Sequence, residues 1–487
     1  MLFNTYAFVI GFLPLVLGGF ILIGRRDRML AAAWLAAASL FFYAWWNPAF
    51  VGLLLGSIGF NYGASRLIVR ARNASAGHPR ALLTVAISAN LLLLGYFKYA
   101  NFFIATLNAA GTGIAPLDVV LPIGISFYTF TQIAFLVDTH RGLADESRWL
   151  HYVLFVTWFP HLIAGPVLHH SQMMPQFAHR ETYRADPVSI ATGLAMFAIG
   201  LSKKALLADP LAIPATAVFD AAAQGRSIGL GLAWVGVTAY ALQLYFDFSG
   251  YSDMAIGISR MFNVRLPLNF NSPYKSRNIV EFWRRWHMTL SAFLRDYLYV
   301  PLGGNRRGRN RRYLNLMVTM MLGGLWHGAG WTFFIWGTLH GAYLAVYHLL
   351  RQLRPIGPLG GRLASALSTA FTFVAVLFAW VPFRANSMDA AWVLWRGMLG
   401  LNGLSLNGLE SPVQAVAWIV VGLLIVWCLP NSQQWLARFQ PASDAVEPTS
   451  RVAWRFTSRT GFATGVLVAL ALVGVLSATS EFLYYQF

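Results

Sequence analysis

Apolar runs recur from one end of this chain to the other, at about residues 6–23, 29–45, 50–69, 81–97, 121–137, 189–207, 230–246, 313–325, 331–350, 363–381, 413–429 and 461–478. Most approach the ~20 residues that a membrane-crossing helix needs. Backbone groups facing lipid find no water, so each run has to satisfy its own hydrogen bonds as a helix. Charged residues make up 11% of the 487, where a soluble chain would carry about a quarter. The expectation is an all-α polytopic membrane protein, a single integral membrane domain over residues 1–487, with roughly 11–13 transmembrane helices plus re-entrant and amphipathic ones.

The chain carries 36 basic and 18 acidic residues, a net charge of +18. In a soluble protein that excess would suggest nucleic acid. Here the basic residues cluster in short loops, as in Arg25, Arg26 and Arg28 or Arg66, Arg70, Arg72 and Arg80. The positive-inside rule explains them, so membrane lipid and a phosphorylated cofactor are the expected anionic partners and nucleic acid is not. The first run lacks a basic region before it, unlike a cleaved signal peptide, and reads as a transmembrane helix with its N-terminus outside. Lys203 and Lys204 fall near the outer face, against the rule. Cys428 is the only cysteine, which excludes an intrachain disulfide and a cysteine-based metal site.

Two stretches depart from plain crossings. Residues 152–168 are apolar but broken by Pro160, Gly165 and Pro166, and carry His161; a re-entrant hairpin is expected. His169 and His170 follow, and as neighbours they point different ways, so no metal is expected on them. Residues 267–312 are the least hydrophobic conspicuous stretch. Asn278 followed by Glu281 resembles a capping box. The helix it starts would run through Phe282, Trp286, Leu290, Phe293 and Tyr297 as one apolar stripe, with Arg284, Ser291 and Arg295 opposite and His287 at the margin. Asp296 is placed to pair with Arg295. Arg306, Arg307, Arg309, Arg311 and Arg312 form a topology anchor that also suits the phosphates of coenzyme A. No Walker A or dinucleotide fingerprint is present. Asp247 and Asp253 could bind a metal or share a proton, but structural hydrogen bonding is the preferred reading.

Residues 321–341, MLGGLWHGAGWTFFIWGTLHG, hold His327 and His340 with no other ionisable side chain. An imidazole in an apolar helix is costly without a partner or a job. Gly323, Gly324, Gly328 and Gly330 let a substrate chain or another helix approach, and Trp326 and Trp331 are expected to wall the site. A packed histidine at a helix crossing is the plainer reading; the glycines and tryptophans favour a functional one. His340 lies about 140° around a continuous helix from His327 at ~3.6 residues per turn. It is expected to be supporting, hydrogen-bonded to a neighbouring helix, unless the glycines break the helix between them.

WRRWHMTLSAFLRDYLYVPLGG from Trp283 and GGLWHGAGWTFFIWGTLHG from Gly323 resemble the membrane-bound O-acyltransferase family, in particular its bacterial alginate O-acetyltransferase branch. YFDFSGYSDMAIG from Tyr245, LPIGISFYTFTQ from Leu121, FPHLIAGP from Phe159 and VPFRANSMDAA from Val381 are similar to that branch as well, in order along nearly the whole chain. The resemblance implies a ring of tilted helices around a central tunnel in the bacterial inner membrane. It implies catalytic roles for His327 and His287. From the residues themselves, His340, Trp326, Arg284, Arg295 and Asp296 are expected in support. The resemblance further implies acetyl-CoA as donor and transfer of acetyl outward to periplasmic polysaccharide acetyltransferases. The tail, residues 481–487, reads as an aromatic belt. Its F-x-Y-x-x-F spacing also resembles the C-terminal motif of a small partner protein in the D-alanyl-transfer branch, which would make Tyr484 a transient acyl carrier. From the histidines alone, a transporter of an acyl carrier or polymer without chemistry remains open, as does a scaffold that only recruits other enzymes.

Overall fold

The computed structural model describes residues 1–74, 77–146, 148–353, 361–406, 408–446, 454–477 and 483. Its regular elements are all helical. Six helices among the described residues are long and apolar enough to cross a bilayer: Ala7–Gly24, Pro79–Ala109, Pro187–Ala223, Trp331–Leu353, Arg362–Arg384 and Ser458–Val475. Arg28–Ala44 and Pro412–Cys428 are shorter apolar helices. The chain is thus a polytopic all-α membrane protein. The run at 81–97 does not stop there but continues through a π-turn at Gly95–Tyr99 into Ala100–Ala109.

The chain divides into two compact units, each assembled from separate stretches of sequence. The first comprises Met1–Ile199, Tyr251–Leu268 and Leu436–Val466. Several of its buried polar side chains pair with one another. Asn61 and Asn90 exchange amide hydrogen bonds at 3.0 and 2.7 Å. Gln132 donates to Ser57 at 2.9 Å and accepts from the Tyr152 hydroxyl at 3.2 Å. In an apolar setting such pairs hold helices in register, because each polar group is costly unpaired. The Trp149–Thr157 helix ends well short of a crossing, and residues 158–168 continue as buried irregular chain. This matches the expected interruption. His161 donates from Nε2 to the Phe155 carbonyl at 2.9 Å, which satisfies it locally.

The second unit comprises Gly200–Gly250, Asn269–Trp435 and Leu467–Phe487. At its centre the helices Arg309–His327 and Trp331–Leu353 form a hairpin. The glycines explain how closely they pack. A Cβ on Gly324 would lie 2.3 Å from the Phe333 carbonyl oxygen, and one on Gly337 would lie 2.3 Å from that of Met320. Neither position admits a side chain, so these glycines serve helix against helix. The anomalous Lys204 is also explained. It is buried, with Nζ 2.9 Å from Asp209 and 2.7 Å from Asp247. Asp247 is therefore engaged in a buried ion pair.

The amphipathic helix expected through residues 278–297 is broken. Asn278 does cap it, accepting from the Glu281 N–H at 2.9 Å. The helix then covers only Ile279–Arg285, and a second begins at Met288. Between them the chain turns through His287, held in the left-handed region at φ +43°. Hydrogen bonds from the preceding segment hold the break open. The Asn271 N–H donates to the Arg285 carbonyl and the Met288 N–H to the Asn269 carbonyl, each at 2.9 Å. The apolar stripe survives in Phe282, Trp286, Leu290 and Phe293, all buried.

Candidate active site

His327 is the last residue of its helix, where the chain leaves through Gly328. A helix C-terminus favours positive charge, so the position supports an imidazole that takes up a proton. The break at residues 286–287 carries His287 inward rather than leaving it at an interface. His287 is fully buried and His327 is 4% exposed. Their ring centroids lie 6.2 Å apart. Trp326 packs against both, at 4.9 Å from His327 and 6.1 Å from His287. Trp336 and Phe383 close over His327 at 5.1 and 5.3 Å, and Phe248 meets His287 edge-on at 4.9 Å.

His287 has a specific polar partner. Its Nδ1 lies 2.9 Å from Asn269 Oδ1, which also accepts from the Thr289 hydroxyl at 2.9 Å. Nε2 has no hydrogen-bond partner among the described residues. Burial pushes the His287 pKa below the ordinary histidine value, which favours the neutral ring.

The glycine break changes the place of His340. The helix does not run on past His327, so the expected 140° separation does not apply. Instead both imidazoles pack on the Trp336 indole, His340 at 5.0 Å. The expected bond to a neighbouring helix is present. Trp283 donates from Nε1 to His340 Nδ1 at 3.3 Å. Glutamine can accept the same bond through its side-chain oxygen. His340→Gln should therefore keep the activity of this site within about tenfold of the parent protein, the loss of one neutral hydrogen bond being worth about 1 kcal/mol. A loss as complete as that of His327→Ala would make His340 catalytic.

The remaining expected residues are placed differently from one another. Trp326 lines the pair as expected. Trp331 is 52% exposed, because the hairpin turn puts it at the start of the second helix. Trp336, one turn further on, provides the wall assigned to it. Arg284 and Arg295 are exposed, and Arg295 holds Asp296 in a two-point pair at 2.7 and 2.9 Å. Tyr484 lies outside the described residues. Leu483 before it is described and buried, its N–H donating to Asp247 Oδ2 at 3.2 Å. Asn269, Trp336 and Phe383 were not singled out from the sequence. Asn269 had one visible signal, a lone amide in the otherwise apolar run Leu266-Pro267-Leu268-Asn269-Phe270.

Among the described residues no group of three or more His, Cys, Asp or Glu is gathered as metal ligands. The arrangement is instead two buried imidazoles in an aromatic box. Such a box can hold an acyl group away from water while a histidine moves a proton.

A family model described as MBOAT, membrane-bound O-acyltransferase family, matches residues 141–385. These residues include both members of the histidine pair and every side chain named around it. Curated relatives extend further. The chain is 44% identical to a peptidoglycan O-acetyltransferase of Helicobacter pylori over 443 residues, 84% of this chain and 82% of the relative. It is 39% identical to a probable alginate O-acetylase of Pseudomonas putida over the full length of both. A teichoic acid D-alanyltransferase of Bacillus subtilis is 28% identical over 245 residues, covering 49% of this chain and 61% of the relative.

Proposed function

Since the chain belongs to the membrane-bound O-acyltransferase family and is a membrane O-acyltransferase, we propose that it takes acetyl from cytoplasmic acetyl-CoA and passes it across the bacterial inner membrane for O-acetylation of an exopolysaccharide such as alginate. The observation that carries this reading is the buried pair His327 and His287, 6.2 Å apart inside an aromatic box. A thioester already carries an activated acetyl group, so the chemistry left to the protein is proton movement and positioning. His327 takes the proton from an acceptor hydroxyl as its oxygen attacks the thioester carbonyl carbon. The carbon–sulfur bond breaks, and the coenzyme A thiolate regains the proton from His327. His287 positions the reacting groups through its inward Nε2. The exposed arginines Arg306, Arg307, Arg309 and Arg311 suit the phosphates of the donor.

The names of the two more similar relatives support acetyl as the group moved, on peptidoglycan and alginate, whereas the teichoic acid relative is named for D-alanyl. Periplasmic polysaccharide acetyltransferases are the partners that would take acetyl onward to the polymer. Tyr484 would carry it in transit, a tyrosine ester dividing one cross-membrane transfer into two steps. Purified protein incubated with acetyl-labelled acetyl-CoA tests both statements. Label should move to a hydroxyl acceptor or to water, and intact-mass analysis should find one added acetyl on the peptide containing Tyr484. A transporter without chemistry predicts that the thioester stays intact. An acetylation reaction with no adduct on that peptide would remove the tyrosine carrier alone.

A further inference from the structure

We infer that Asn269 is a positioning residue for the proposed transfer, fixing His287 in one tautomer so that Nε2 meets the reacting groups as a hydrogen-bond acceptor. The inference rests on the reading of His287 as a working member of the pair. Its basis is the hydrogen-bond accounting around one oxygen. Asn269 Oδ1 lies 2.9 Å from His287 Nδ1 and receives the Thr289 hydroxyl at 2.9 Å. A carbonyl oxygen only accepts, so Nδ1 has to carry the hydrogen. A neutral imidazole has one N–H, which leaves a lone pair on Nε2. That atom is buried with no partner among the described residues, in a residue that is fully buried itself. An unsatisfied polar atom in such a place is costly, and a hydrogen-bond donor on a bound substrate, other than the hydroxyl whose proton goes to His327, would offset that cost.

The backbone points to the same purpose. Histidine is held at φ +43°, a region that is strained for a non-glycine residue and persists where its surroundings over-determine it. Asn269 supplies that constraint twice. Its side chain holds the ring, and its carbonyl accepts the Met288 N–H at 2.9 Å, just past the turn. Asn269 is itself fully buried. Asn269 thereby holds the turn together with Asn271, and by itself fixes the ring orientation and the tautomer. A partner that fixes the imidazole's second nitrogen is how other histidine sites keep the working nitrogen in one protonation state.

The test is a double-mutant cycle on acetyl transfer from acetyl-CoA. Asn269→Leu should lower kcat by about 10²-fold, as expected when a reacting group is misplaced, with little change in the KM for acetyl-CoA. In a His287→Ala background the same substitution should cost less than about twofold, since additivity fails for residues that act as a unit. Equal losses in both backgrounds would overturn the inference and leave Asn269 a packing residue, with the reading of the pair intact. Full activity of His287→Ala would overturn both together. Should Asn269→Leu fail to fold, ¹⁵N-histidine spectra of the unsubstituted protein decide the matter, with His287→Gln used to assign the resonance. Hydrogen on Nδ1 is the expected result, and hydrogen on Nε2 would overturn the inference.

Discussion

Alanine in place of His327 is expected to slow acetyl transfer by about 10²–10⁴-fold, the range that a positioned general base contributes. On the proposed mechanism the KM for acetyl-CoA should change little, because the imidazole would act on the acceptor's proton and not on the donor's phosphates. The measurement is steady-state transfer by the purified protein, with thermal unfolding in detergent run beside it. Unfolding matters here because His327 is also a packed side chain. Trp326, Trp336 and Phe383 all contact its ring within 5.3 Å, and truncation leaves a cavity among them. His327→Gln retains most of the volume without a useful base. If it restores the melting temperature but not the rate, the loss belongs to the chemistry. If it restores the rate, the imidazole is only packing and the proposed mechanism is wrong.

How much of this site could be read from the residues alone depended on whether the signal was local. The spacing of glycines around His327 was local, and it correctly marked a place where chains approach closely. It could not say that the approaching chain was the next helix, because the contacts of Gly324 with Phe333 and of Gly337 with Met320 exist only once the hairpin closes. The same closure exposes Trp331 and brings in Trp336. The capping signal at Asn278 was local and held. The stripe from Phe282 to Phe293 was local too, and those residues are buried. The helical period nevertheless carried the reading past Trp286, where the helix stops. Nothing near His287 breaks a helix by its own propensity. The break is imposed by bonds to Asn269 and Asn271, a tertiary cause invisible to periodicity. That one turn separates a histidine at an interface from a histidine beside His327.

Lys204→Met should be among the most destabilising single substitutions in the second unit. The ammonium lies between Asp209 and Asp247, and the three side chains are 5%, 10% and 1% exposed. Lysine in an apolar helix is tolerated because two carboxylates share its charge, and they are tolerated because of the lysine. Methionine keeps much of the length but leaves two buried carboxylates facing one site. Removing one partner of a buried pair costs roughly 3–5 kcal/mol, far more than the net worth of the intact pair. Asp209→Asn should cost less, since one carboxylate still neutralises the lysine. The decisive comparison is Lys204→Met/Asp209→Asn/Asp247→Asn, which removes every charge at once. It should melt in detergent above Lys204→Met alone, because the penalty comes from unpaired charge and not from the missing side chain. The triad also reaches the chain's end, where the Leu483 N–H donates to Asp247 Oδ2 at 3.2 Å. Asp247→Asn should therefore raise protease sensitivity of the C-terminal peptide more than Asp209→Asn does, with both proteins folded. If Lys204→Met melts at the parent temperature, the cluster contributes nothing to stability, and the lysine's place in an apolar helix needs a functional explanation.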